Sequence, residues 1–292
     1  MKSFTWACWV VIGVIILIVS GLGVKNWRSS QVVMHSQYRF NIAVINPGIG
    51  VSFVSVDPTE KTILTIPFPT NLTINSRSKG EYSISSLYKL GSYKGSGGMF
   101  ARRKIQGFMR VPIPGFIVTS KSLKIGLLGV IFGHTETSLS RFDAMLLLYR
   151  VTRYRRREIS GNELVRAGVI EGNSYHSERL QEYVGTRLFD WEIGATGLTV
   201  AIINASGENG LGSDLADFLS NLGLDVVMVR SINVDESLNK SSWQVSDDKS
   251  AKELSYIFQN LFGFDQPKVE NIPVEYRASV LIKVGKDVKD LF

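Results

Sequence analysis

The sequence predicts an α/β protein held to a membrane by an N-terminal transmembrane helix. Three observations carry that reading: an uncharged apolar run from Ser3 to Val24, short β-branched strands closed by Pro and Gly turns from residue 40, and a strand, Gly-rich turn and amphipathic helix from Leu198. The 292 residues suggest two domains, and the 44% apolar share suffices for packed cores. The lone cysteine, Cys8, cannot close an intrachain disulfide, and the three histidines, His35, His134 and His176, lie too far apart for a zinc motif.

In the apolar run, residues 9–19 are almost continuously aliphatic. At ~1.5 Å per residue the uncharged stretch spans a ~30 Å hydrocarbon core. Trp6, Trp9 and Trp27 sit near its two ends, where indoles favour the interface. A cleaved signal peptide is the rival reading, with Gly21 and Gly23 as small residues near a cut, but the run is long for a signal core. Cys8 precedes the core and so does not sit as a lipoprotein acylation site. Lys2 lies on one side and Lys25, Arg28 and Arg39 on the other, a count that favours a cytoplasmic C-terminal portion.

A polar linker, residues 29–37, leads to strands at 40–45, 51–56 and 62–66, each ended by a Pro-containing turn. Ser140 and Asp143 have capping-box spacing, and Phe142, Met145, Leu146 and Tyr149 form one face of a helix running toward Arg150. Residues 162–167 and 177–188 read as further helices. Strands first and helices after suggest an α/β or α+β region without fixing its topology.

In the C-terminal third, Thr199, Val200, Ile202 and Ile203 form a strand, and Asn204, Ser206, Gly207, Asn209 and Gly210 a turn. Leu211, Leu215, Phe218, Leu219 and Leu222 then make one helical stripe that Gly223 stops. Strands follow at 225–230, 242–245 and 278–287, with a helix whose Ala251, Leu254, Ile257, Phe258 and Leu261 face one way before Gly263. This predicts a small C-terminal α/β sandwich with its helices against one sheet. The loop 231–241 is polar. The expected divisions are an anchor with a short cytoplasmic tail at 1–28, the linker at 29–37, and domains at 38–193 and 194–292.

On these residues the chain resembles the bacterial LytR-CpsA-Psr (LCP) family. Residues 53–70 look like its core, where a strand, an Asp-Pro turn and a second strand lead to Pro-Arg-Asp-Thr, and Leu139 to Asp143 resemble a later segment. Residues 200–211 resemble the LytR C-terminal domain, as do residues 278–287, with Ser279 where an Asp is usual. The middle domain thus looks like a degenerate LCP domain. The resemblance implies a membrane-anchored, envelope-facing enzyme that moves a glycan phosphate from a polyprenyl-pyrophosphate carrier to the cell wall with Mg²⁺. Such chemistry needs arginine forks on phosphate oxygens and carboxylates on the metal. Here Phe68 and Pro69 stand for the Arg and Asp, and residues 48–51 replace an Arg-Ser-Asp-Thr loop. The implied role is therefore a non-catalytic binding or scaffolding factor, a pseudoenzyme of cell wall or surface glycan assembly, with no catalytic residues, metal or cofactor. One alternative is a divergent phosphotransferase using Mg²⁺ and displaced basic residues. A second is a cytoplasm-facing membrane-bound regulator.

Candidate anion or lipid-phosphate residues are Arg102 and Arg103 after a Gly-rich loop, and Arg150, Arg153, Arg155, Arg156 and Arg157 at the end of the helix after Ser140. A solvated helix end is the bland reading of that second group. Asn204, Ser206, Gly207, Gly210 and Gly212 form either an anion loop or a structural turn. The loop departs from nucleotide-binding spacing, and Glu208 inside it repels phosphate. Expected partners are the membrane, an anionic lipid or envelope glycan, and another envelope protein through the C-terminal domain. Nucleic acid is not expected, since no reader motif accompanies the net charge of +7.

Overall fold

The computed structural model describes residues 38–291 apart from 76–80, 94, 172–173, 189 and 233–236. The anchor and linker expectations, Cys8 and His35 lie outside the described residues, among which no helix is long and apolar enough to cross a membrane. The fold is mixed α/β.

Three strands open it as the sequence predicts: β1 (Phe40–Asn46), β2 (Gly50–Asp57) and β3 (Thr62–Pro67), in an antiparallel meander. Alternation sends Phe40, Ile42, Val54 and Val56 to one face and Ala43, Ile45, Val51 and Phe53 to the other. A hairpin of β4 (Thr73–Asn75) and β5 (Glu81–Ser83) follows, then helices α1 (Leu87–Ser92) and α2 (Gly97–Met109). Strand β6 (Gly115–Val118) returns parallel to β1 before α3 (Leu123–Ile131) and α4 (Arg141–Arg153). Ser140 and Asp143 close the expected capping box of α4.

The arginines after α4 depart from the expected helix end. The helix stops at Arg153, and Arg155–Glu158 form β7, parallel to β3. The physical reason is the edge of β3: the amides of Arg155 and Ile159 donate to the carbonyls of Lys61 and Thr65 at 3.0 and 2.9 Å. The resulting sheet order is β6-β1-β2-β3-β7, so strands and helices interleave instead of running in two blocks. Helix α5 (Gly161–Arg166), the hairpin β8 (Ile170–Glu171) with β9 (Ser174–Tyr175), α6 (Ser177–Leu188) and the single turn α7 (Trp191–Gly194) follow. Helices cover both faces of the sheet. Ala101, Ile105 and Met109 of α2 and Leu180 and Val184 of α6 bury one, and Leu127, Val130, Ala144 and Leu147 of α3 and α4 the other.

The second sheet contains β10 (Thr199–Asn204), β11 (Asp225–Ser231), β12 (Ser242–Val245), β13 (Lys268–Val269) and β14 (Val280–Val284), in the order β11-β10-β14-β12-β13. Strand β14 is shorter than the predicted 278–287, and residues 286–291 turn into a 3₁₀ helix. Between β10 and β11, α8 (Leu211–Leu222) lays its predicted stripe on Val200, Ile202, Val280 and Ile282. Gly223, at φ 108°, ends it with the Leu224 amide donating to the Leu219 carbonyl at 3.0 Å. Helix α9 (Asp248–Ser255) runs on into a π-helical turn at Tyr256–Leu261. Trp243 is the largest fully buried side chain here, and its indole donates to the Asp265 carbonyl at 2.8 Å.

Contacts bridge the two sheets. Tyr38, just ahead of β1, packs with Ile193 into the core of the second sheet. Arg110 ends α2 in a left-handed conformation at φ 48°, pairs with Asp217 of α8, and accepts a 2.8 Å hydrogen bond from Asn221 at its carbonyl.

Candidate functional site

The family-like position lies at one end of the first sheet, where the β1–β2 turn meets the exit of β3. Gly48 turns the chain at φ 82°, and the Phe68 amide donates to the Val51 carbonyl at 3.1 Å. Phe68 is buried and meets Phe108 edge to face at 6.0 Å, while Ile49 faces solvent. A phenyl and a prolyl ring provide neither bidentate donors nor oxygen ligands, so the residues at these positions do not fit Mg²⁺. Among the described residues no cluster of His, Cys, Asp and Glu of metal-binding size occurs. Beside the turn, a shallow groove of about 530 Å³ is lined by Pro47, Thr119, Lys121, Ile125 and His134 among others.

The predicted arginines do not converge on one place. Arg102 turns inward from α2 and donates to the Ile113 carbonyl at 2.6 Å, and burial pulls its guanidinium down to about 10. It remains charged at neutral pH and braces the turn after α2. Arg103 is exposed on the same helix, and Arg110 is occupied by the acidic face of α8. Arg150 is buried in α4 with Nη1 lacking a hydrogen-bond partner, and Arg153 lies over the Tyr149 ring at 6.0 Å.

Arg155, Arg156 and Arg157 do come together, with two residues that the sequence reading left out. They line a pocket of about 290 Å³ at the β7 edge with Arg39, Arg187 and residues 62–64. The register explains the grouping. Asp57, Thr62 and Arg155 stand in one row across β2, β3 and β7, and Ser55, Leu64 and Arg157 in the next row on the same face. The Arg39 guanidinium spans the rows, donating to Asp57 at 2.5 Å and Ser55 at 3.3 Å. Arg156 points to the opposite face and donates to the Val151 carbonyl.

Arg187, from the last turn of α6, stacks on Tyr183 at 3.6 Å. Glu163 accepts from the Tyr183 hydroxyl and from Arg157 at 3.0 Å, with Arg187 at 3.8 Å. The Tyr183 hydrogen bond, helped by the two arginines, holds the Glu163 carboxyl below its ordinary range. Burial first, and Glu163 second, push the Tyr183 hydroxyl up to about 12. Asp190, buried behind the site, has its carboxyl raised by burial against the hydrogen bonds that it accepts from the Arg39, Glu192 and Ile193 amides. Arg39 precedes Arg155 by 116 positions and Arg187 follows it by 32, at the end of α6, and only the fold places them beside β7; one cue was legible, a cation directly ahead of the first strand.

The C-terminal loop satisfies itself. Asn204 Oδ1 accepts from the Ser206 amide and hydroxyl, Asn204 Nδ2 donates to the Glu208 carbonyl at 2.8 Å, and Ser206 Oγ accepts from the Glu208 amide at 3.1 Å. Gly207 and Gly210 have φ 74° and 78°, and a Cβ on Gly212 would lie 3.0 Å from that of Asn204. Glu208 pairs with Lys289 at 2.7 Å. The geometry is that of a structural turn.

No family profile and no curated protein matches the chain. Among solved structures, Bacillus subtilis TagV is similar at 11% identity and TM-score 0.32, over 52% of this chain and 98% of that one. B. subtilis TagU is similar at 15% identity and TM-score 0.25, over 32% of this chain and only 37% of that one. A structure of the LytR-CPS2A-psr family protein YwtF (TagT) with bound octaprenyl pyrophosphate lipid is similar at 11% identity and TM-score 0.24, over 78% and 91%. At these TM-scores the chain is similar to TagT, TagU and TagV, and neither its family nor its activity follows from that similarity.

Proposed function

We propose that the chain is a single-pass, membrane-anchored protein of the bacterial cell envelope, a binding or scaffolding factor in cell wall or surface glycan assembly that does not catalyse glycan transfer. Residues 1–28 form the anchor, and the LCP-like and LytR C-terminal-like domains at 38–193 and 194–292 lie outside the cytoplasm. The sequence resemblance supplies the family setting. The observation that carries the non-catalytic role is the apolar content of the family-like position. Phe68 is packed on Phe108, Pro69 follows it, and the β1–β2 turn contributes Pro47, Gly48, Ile49 and Gly50. Without guanidinium forks or carboxylates at those positions, a pyrophosphate leaving group lacks the bidentate donors and metal ligands that the family chemistry uses.

The test is a transfer assay. Purified full-length chain in detergent is incubated with a polyprenyl-pyrophosphate-linked glycan, Mg²⁺ and peptidoglycan. The expected result is no acceptor-linked glycan phosphate. Turnover that disappears on Arg102→Ala or Arg153→Ala overturns the non-catalytic role and favours the divergent enzyme.

A further inference from the structure

We infer that the pocket formed by Arg39, Arg155, Arg157 and Arg187 is a binding site for a phosphate mono- or diester. It rests on the binding-factor reading above and gives that factor a ligand class. Arg155 and Arg157 are two residues apart on an edge strand, so their side chains leave the same face, the one on which Arg39 lies. Helix α6 brings Arg187 in from above that face. Four guanidiniums thus surround one pocket, while among the described residues the carboxylates paired with their side chains are Asp57 and Glu163. Asp57 is taken up by Arg39 and by the amides of Thr59 and Glu60, and Glu163 by Tyr183 and Arg157. Arg155 makes no side-chain hydrogen bond or ion pair among the described residues.

The excess of positive charge in so small a space is self-repelling, and an anion with several acceptor oxygens relieves it. The Leu64 side chain on the same face, beside the Thr62 row, gives an aliphatic patch that fits a phosphate carried on an organic group. The site is distinct from the family-like position. Arg155 pairs with Thr62 at the start of β3, whereas Phe68 lies beyond its far end, roughly 20 Å away at ~3.3 Å per residue. It is also the end of the sheet at which β1 begins, nearest the expected anchor. A lipid headgroup and a phosphorylated glycan share the required chemistry.

Full-length protein in neutral detergent is titrated calorimetrically with inorganic pyrophosphate and, separately, with dihexanoyl phosphatidic acid below its micelle concentration. Wild type is expected to bind at least one probe saturably. Arg155→Ala/Arg157→Ala is expected to bind about tenfold or more weakly, and Arg230→Ala, an exposed arginine on the second sheet, as wild type does. If the double variant is unfolded by circular dichroism, Arg155→Ala alone, which breaks no described contact, gives the same readout. Binding of the lipid alone assigns a headgroup, and binding of both probes assigns the phosphate itself. No saturable binding of either probe, or equal binding by the variant, overturns the inference and leaves a solvated, charge-blunted sheet edge. Glycan transfer in the earlier assay overturns the non-catalytic role and leaves this pocket standing.

Discussion

Glu163 shows how a single side chain at the pocket rim links charge to stability. Its folded pKa is depressed by Tyr183 and the neighbouring arginines, so its contribution is fully present above the ordinary glutamate value of ~4.3 and is lost as pH falls through the lowered one. Glu163→Gln removes that contribution. In urea unfolding the wild type is expected to exceed the variant by a few tenths to about 1 kcal/mol at neutral pH, since the group is part-exposed, with the gap closing toward pH ~3. An unchanged gap across that range overturns the coupling. The residue types of the pocket were half legible. The run Arg155 to Arg157 stands out in the sequence, but its companions Arg39 and Arg187 do not. Their proximity depends on pairing between β2, β3 and β7, which no local pattern encodes.

Elements with local signals were readable: β1 to β3 through their turns, α4 through its capping box, α8 through its stripe and Gly223. Elements formed by tertiary demand were not. Strand β7 is four charged, exposed residues with no strand pattern, recruited by the open edge of β3. Helix α2 opens on Gly97 and Gly98, poor helix formers that the packing requires. A Cβ at Gly98 would sit 2.0 Å from the buried Phe116 ring of β6. Gly98→Ala is therefore expected to lose about 1–3 kcal/mol despite the better helix propensity of alanine, as overpacking outweighs it. Phe116→Leu in the same chain is expected to restore part of the loss in denaturant titrations. A stabilised Gly98→Ala protein sinks this account.

Across the whole molecule, polar groups at the end of α2 join the two sheets beside the apolar contact of Tyr38 and Ile193. Arg110 closes α2 in a left-handed conformation and meets Asp217, with Asn221 on its carbonyl. Arg110→Ala/Asn221→Ala is expected to cost about 1–3 kcal/mol and to split one calorimetric transition into two, because each sheet keeps its own core. A single transition at the wild-type temperature overturns this. Nothing in the local sequence announces the join, since its partners lie 107 or more positions apart. The order β11-β10-β14-β12-β13 has a consequence for biosynthesis. Strand β10 is flanked by β11 on one side and by β14 on the other, so its second neighbour emerges from the ribosome some 80 residues after it. The first sheet is complete in the nascent chain by Glu158, whereas the second stays open, with Ile202 and the α8 stripe uncovered, until Val284 has been made. For that interval the half-built sheet exposes an apolar strand edge, the kind of surface that chaperones and proteases recognise.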